Sequence, residues 1–385
     1  MQPIPLSLYV HLPWCVRKCP YCDFNSHTAG DAAPRARYLD ALIKDIESEA
    51  SRAEGRTLLS VFLGGGTPSL FTPDEIAGLL DSVAAHFSLA PDIEITMEAN
   101  PGTVECGDPS GYRKAGVNRL SIGAQSFSPD SLRLLGRIHS VDDISRSMDE
   151  ARTAGFDSIN IDLMYGLPEQ DVDTALADIE AALALEPQHL SWYQLTLEPN
   201  TVFHARPPAG LPDEEALWDI QENGQRLLAG RGFSQYEVSA WSQDGHRCRH
   251  NLNYWLFGDY LAVGAGAHGK ISDASGVHRY TKAAHPLSYM QDIENRKSAD
   301  LPPALGAAEL VFEFMLNASR LSDGFDEALF EQHTGLPSGN LRSAAEVAVE
   351  KGLIDRPAAD FWRPTALGKR FLNDLQAEFL PESAP

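Results

Sequence analysis

Residues 15 to 24 read CVRKCPYCDF. Cys15, Cys19 and Cys22 place three thiols within eight positions, spaced C-x3-C-x2-C. Thiolates ligate soft metal centres. A structural zinc site asks for four ligands, commonly two paired units at a set distance. No second pair is present, and the other two cysteines, Cys106 and Cys248, stand alone. A [4Fe–4S] cluster takes one thiolate per iron. Three thiolates on one short loop would therefore hold such a cluster by three irons and leave the fourth iron open to a substrate or cofactor. Two residues after the third cysteine stands Phe24, where a fourth thiol would complete the set.

The rest of the chain bounds that chemistry. Five cysteines in 385 residues do not suggest a disulfide framework, and reduced thiols fit a cytoplasmic protein. The stretch MQPIPLSLYVHLPW has neither a basic n-region nor a signal-length apolar core. No apolar run approaches the roughly 20 residues of a membrane span. Lys and Arg number 31 against 54 Asp and Glu, a net charge of −23. Such an acidic chain is a poor partner for nucleic acid or an anionic membrane surface, whose phosphates must be met by cations.

Positioning falls to a repeating pattern. Apolar, β-branched runs at 6–12, 60–66, 93–100, 119–126, 158–166 and 189–197 alternate with stretches of helical periodicity. Thr72 reads as an N-cap with acids behind it. Strands alternating with helices predict an α/β fold with a parallel sheet, here a partial (β/α) TIM-like barrel. The helix over 212–230 is expected to close at Gly230. From about 301 the texture turns helical with one short strand, which predicts a winged-helix-like C-terminal domain over 301–385 behind a barrel domain over 1–300.

Barrel chemistry gathers on the loops after the strands. The residues with chemical potential sit there: Cys15–Cys22 after the first run, Gly64–Thr67 after the second, Glu98 and Asn100 ending the third, Gln125 ending the fourth. Asp162 is an acid inside the apolar fifth run, costly to bury without a partner, for which Arg137 is a candidate. GGGTP at 64–68 lets backbone approach a ligand closely. GAGAHG at 264–269 has the G-x-G-x-x-G spacing but no helix and no suitably placed acid after it. It reads as a tight loop near the barrel mouth rather than a dinucleotide site. CRHNLNYW at 248–255 holds His250, Asn251 and Tyr254, with His and Tyr both able to ligate haem iron. Cys248 and His246 are also within reach of that role, and a lone His is more often a hydrogen-bonded structural group.

Taken in order, YVHLPWCVRKCPYCDF, FLGGGTPS, MEANP, IGAQSF, LGRIH and IDLMYGLP resemble the radical S-adenosylmethionine (SAM) proteins, and within them the oxygen-independent coproporphyrinogen III oxidase-like group. The resemblance covers about residues 7 to 270 and the C-terminal domain. It implies a [4Fe–4S] cluster on Cys15, Cys19 and Cys22, with the open iron chelated by SAM. It implies SAM contacts at Tyr9, Tyr21, Gly65, Gly66, Thr67, Glu98, Gln125, Arg137 and Asp162. The oxidases proper add a fourth cysteine at the position of Phe24 and an extension ahead of the motif, where this chain has eight residues before Tyr9. The likeness therefore points to the haem-chaperone branch of the group, whose HNxxY motif is linked to haem binding. That implies haem as cargo at His250, Asn251 and Tyr254, recipient apo-haemoproteins that include membrane-associated respiratory ones, and an electron-donor protein. The alternative is radical decarboxylation of coproporphyrinogen propionates.

Overall fold

The computed structural model describes residues 4–30, 34–102, 108–296 and 301–381. Cys106 lies outside them. The chain opens with β1 (Leu6–Leu12), β2 (Trp14–Cys15), β3 (His27–Thr28), α1 (Arg35–Glu49), β4 (Thr57–Gly65), α2 (Pro73–His86) and β5 (Ser88–Ala99). It continues through α3 (Pro109–Ala115), β6 (Arg119–Gln125), α4 (Pro129–Leu134), α5 (Val141–Thr153), β7 (Ile159–Tyr165), α6 (Val172–Ala184) and β8 (His189–Gln194). Then follow α7 (Val202–Ala205), α8 (Glu214–Gly230), β9 (Ser234–Gln235), β10 (Ala240–Ser242) and α9 (Arg249–Trp255). A last group holds β11 (Asp259–Val263), β12 (His268–Asp273), β13 (Gly276–Thr281) and α10 (Pro286–Glu294).

Local sequence explains the boundaries. Thr72 accepts from Glu75 N–H while the Glu75 carboxylate accepts from Thr72 N–H, a reciprocal cap that starts α2 as expected. Ser140 with Asp143 and Asp171 with Thr174 start α5 and α6 in the same way. The end of α8 departs from expectation. Gly230 is still helical, and the left-handed turn falls on Gly232 at φ +83°.

The large sheet runs β13-β12-β11-β1-β4-β5-β6-β7-β8-β10-β9. The seven strands from β11 to β8 are parallel, and antiparallel strands extend both edges. Edge strands β13 and β9 do not pair, so the barrel is partial. The parallel strands are apolar because helices cover their outer face. Leu6, Leu8, Val10, Val61, Leu63, Ile161 and Leu163 are fully buried there.

A second apolar core lies in the C-terminal part, where α11 (Ala307–Ala318) meets further helices and a three-stranded antiparallel sheet of Phe325–Asp326, Phe361–Pro364 and Ile354–Ala358. Phe314 is its centre, with the rings of Phe257, Phe325 and Phe330 at 5.1 to 5.6 Å. Phe257 and Val277 come from the barrel side, so that core is shared across the seam. The expected boundary at 300 falls on residues 297–300, outside those described.

Candidate functional site

The cysteine loop is shaped by backbone bonds before any ligand arrives. It leaves β1 at Pro13, and β2 pairs in parallel with β3. His27 N–H donates to Pro13 O and Ala29 N–H to Cys15 O, both at 2.7 Å. Lys18 Nζ donates to the carbonyls of Phe24 and Ser26, closing the loop on itself. Asn25 Nδ2 donates to Ala265 O and Ala284 O, tying the loop to the GAGAHG turn. That turn carries Gly264 and Gly266 at positive φ and no helix, as expected.

The three thiols face one cavity of about 390 Å³ at the C-terminal ends of the parallel strands. Tyr21, Gly65, Gly66, Thr67, Glu98, Gln125, Arg137 and Asp162 line it with them. Tyr9 does not. Its hydroxyl donates to His11 Nδ1 at 3.0 Å. Each sulfur has a polar neighbour: Thr67 Oγ1 at 3.5 Å from Cys15, Arg137 Nη1 at 3.6 Å from Cys19, Ser26 Oγ at 3.9 Å from Cys22. Burial pushes the Cys15 and Cys22 thiols up.

Among the described residues no three His, Cys, Asp or Glu side chains converge on a point, as one metal ion would need. A cluster does not need that convergence, because each thiolate meets a different iron. The donor set fits the cluster: three soft ligands on one wall, each with a hydrogen-bonding neighbour. The buried Arg137 Nε has no partner within the protein, which suits a ligand-facing guanidinium.

The adjoining wall is close-built. Gly66 N–H donates to Leu12 O and Thr67 N–H to Trp14 O, each at 2.8 Å. A Cβ on Gly66 would lie 2.6 Å from Trp14 O, so only glycine lets this strand end lie against the cysteine loop. Glu98 accepts from Gly65 N–H at 3.0 Å. Burial, reinforced by Asp162 and opposed by that bond, pushes its carboxyl up to about 7. Gln125 is held at φ +72°, a strained conformation for a non-glycine, with Tyr193 donating to its Oε1 at 2.6 Å.

Asp162 does not pair with Arg137. Asn160 Nδ2 donates to it at 2.8 Å and Ser121 Oγ at 3.0 Å. Arg137 instead donates to Asn100 Oδ1 and to Gly123 O. Phe24 is not a core residue; it is 58% exposed at the cavity rim. Tyr193, Gln194 and Glu198 also line the cavity. Sequence reasoning passed over them, although the strand-end rule applied to β8 points to the same place.

HNxxY lies elsewhere. α9 packs on the starts of β1 and β4, at the barrel end opposite the cysteines. His250 is 1% exposed. Ser60 Oγ is 2.9 Å from its Nδ1, and Tyr254 Oη is 2.9 Å from its Nε2. Both ring nitrogens are thus engaged, and Phe62 stacks on the ring at 5.0 Å. Burial and Arg119 hold its pKa down to about 3. Asn251 and Tyr254 are half-buried on the same helix.

The geometry agrees with comparison to known proteins. Residues 9–179 match the model of the radical SAM superfamily. The heme chaperone HemW of Escherichia coli K12 is 47% identical over 98% of this chain and 99% of its own. That of Haemophilus influenzae is 45% identical over 98% of each. The mouse mitochondrial radical S-adenosyl methionine domain-containing protein 1 is 38% identical over 85% of this chain and 75% of its own. Among solved structures, the coproporphyrinogen III oxidase HemN of E. coli, a radical SAM enzyme, superposes with a TM-score of 0.82 at 25% identity, covering 98% of this chain and 90% of that one. Identity near one half, held end to end, joins this three-cysteine barrel to its relatives more tightly than the shared fold does: the chain belongs to the HemW family of the radical SAM superfamily.

Proposed function

We propose that this protein binds haem and passes it to apo-haemoproteins, with a [4Fe–4S] cluster and SAM held in the cavity. The observation that carries the reading is near-half identity to a named haem chaperone over almost the full length of both chains. Cys15, Cys19 and Cys22 would hold the cluster, and Gly65, Gly66, Thr67, Glu98, Gln125, Asp162, Tyr21 and Arg137 would surround SAM. When bound, the cluster would offer its fourth iron to SAM, and the pair would supply one-electron chemistry at the sulfonium. The chain itself orients and shields. Arg137 sets a cation against Cys19, the glycine strand end excludes bulk from the thiol wall, and the buried carboxylates of Glu98 and Asp162 suit a cationic ligand.

For haem, the reading takes His250, Asn251 and Tyr254 as the binding segment. Ligation by His250 requires one of its two ring contacts, to Ser60 at Nδ1 or to Tyr254 at Nε2, to open first. The recipients would include membrane-associated respiratory haemoproteins, and a separate carrier protein would donate electrons. No helix among the described residues is long and apolar enough to cross a membrane, and the reading places the protein in the cytoplasm. Anaerobic haem titration of the reconstituted protein tests it, with His250→Ala expected to weaken binding.

The second reading, coproporphyrinogen III oxidase, is favoured by the end-to-end likeness to HemN. Phe24 in place of a further thiol speaks against it. Protoporphyrinogen formed from coproporphyrinogen with SAM and reductant would revive it.

A further inference from the structure

The barrel lumen contains a chain of hydrogen bonds whose direction is fixed by chemistry. It starts at the N-cap of α9, where Cys248 N–H donates to Tyr236 Oη at 3.2 Å. Tyr236 Oη lies 2.8 Å from His189 Nε2. His189 Nδ1 lies 2.6 Å from Asn160 Oδ1, to which Ser191 Oγ also donates. Asn160 Nδ2 donates to Asp162 Oδ1 at 2.8 Å and to Ser121 Oγ at 2.7 Å, and Ser121 Oγ donates to Asp162 Oδ2 at 3.0 Å.

An amide oxygen only accepts, so His189 Nδ1 must carry the proton. Nε2 then offers a lone pair, and Tyr236 must donate to it. A flipped Asn160 would turn its oxygen toward the carboxylate, so the amide orientation is fixed as well. Every donor therefore points from α9 toward Asp162. Asn160, His189, Tyr236 and Cys248 are each at most 1% exposed, so water does not compete for these bonds. Burial, with Arg119 and His246, holds the His189 pKa well below its usual value, so its ring is neutral as the chain requires. Aligned bonds of this kind polarise one another in a low-dielectric interior.

We infer that Asn160, His189 and Tyr236 are positioning residues for Asp162, and that through Cys248 N–H they couple the SAM cavity to α9, the helix that carries HNxxY. The inference rests on the reading that Asp162 faces SAM, and it adds the route by which the two ends of the barrel sense each other. Loading the Asp162 carboxylate with a ligand changes how strongly it draws on Asn160 and, step by step, on the α9 backbone. By linkage, moving α9 changes the cavity's affinity in the same proportion.

The test uses the cluster-loaded protein, anaerobic and without reductant, with SAM as the probe. Calorimetry reads its Kd, and hydrogen–deuterium exchange reads the amides of residues 248–252. In the wild type, SAM slows exchange at those amides. Tyr236→Phe keeps the ring but removes both the acceptor for Cys248 N–H and the donor to His189. It should weaken SAM roughly fivefold or more and abolish the response at α9. Cys248→Ala keeps the backbone N–H and should keep both. Wild-type α9 amides indifferent to bound SAM, or a Tyr236→Phe protein that retains affinity and response, overturn the coupling. A wild type that binds no SAM shows up in calorimetry alone; it defeats the cavity reading, and the relay falls with it.

Discussion

Gly65 N–H donates to Glu98 Oε2 at 3.0 Å, tying the end of β4 to the end of β5 directly over the cavity. Gly65 can do so only at φ +115°, and a Cβ there would sit 2.4 Å from the His11 ring. That ring has no room to retreat, because Tyr9 Oη holds Nδ1 and Asn25 O holds Nε2. Gly65→Ala should cost about 1–3 kcal/mol and displace the cysteine loop through Asn25. Thermal unfolding and iron content of the reconstituted variant check this, and an unchanged melting midpoint with full iron would contradict it.

Cys19→Ser should abolish the visible charge-transfer absorbance of the cluster. Its sulfur is the one beside Arg137, at 3.6 Å, and the loop carries no further thiol to replace it. Iron and sulfide assays give the decisive number. A variant retaining a full [4Fe–4S] complement would remove Cys19 from the ligand set.

Two buried groups pull stability in opposite directions on acidification. His189 is neutral in the folded protein, its pKa far below the usual value of 6.5. Below about pH 6.5 the unfolded chain takes up this proton and the folded protein does not, so stability falls by at most about 1.4 kcal/mol per pH unit. Glu98 does the reverse. Its folded pKa is about 7 against an ordinary 4.5, so on falling pH the folded protein takes up the proton first and gains stability across that window. Glu98→Gln should therefore lose stability more steeply than the wild type between about pH 7 and pH 5, and His189→Gln less steeply. Urea midpoints across that range decide, and parallel slopes for all three proteins would refute both assignments.

Asp259 joins the barrel to its antiparallel extension. It is fully buried and accepts from Arg56, Lys270 and both Ser272 donors. Burial alone would raise its pKa, but those partners more than offset it and hold the carboxyl below its usual value. Asp259→Ala leaves Lys270, itself 1% exposed, without a counter-charge. The expected cost is about 3–5 kcal/mol, read by urea unfolding. A loss below about 1 kcal/mol would mean that the lysine finds another partner or loses its proton at little expense.

Much of the cavity was legible in the sequence because it is built from strand ends. Cys15, Gly66, Glu98 and Gln125 each sit at or just beyond the end of an apolar run, and the glycine or polar residue that closes such a run marks the stop. Asp162 was legible as an acid out of place, but its partners were not. Arg137 looked the natural counter-charge, yet the fold turns it to Asn100 and Cys19 while Asn160 and Ser121, uncharged and unremarkable in sequence, hold the carboxylate. The placement of HNxxY was equally hidden. Nothing local to CRHNLNYW says that α9 packs on the starts of β1 and β4, because that depends on pairing between residues nearly 200 positions apart.

The central claim is that the chain carries haem and does not convert coproporphyrinogen. Anaerobic haem titration of the reconstituted protein, beside a coproporphyrinogen turnover assay on the same sample, tests it most directly. Saturable haem binding, weakened in His250→Ala, with no protoporphyrinogen formed, is the expected result. Turnover, or a cluster-loaded protein that takes up no haem, would contradict it.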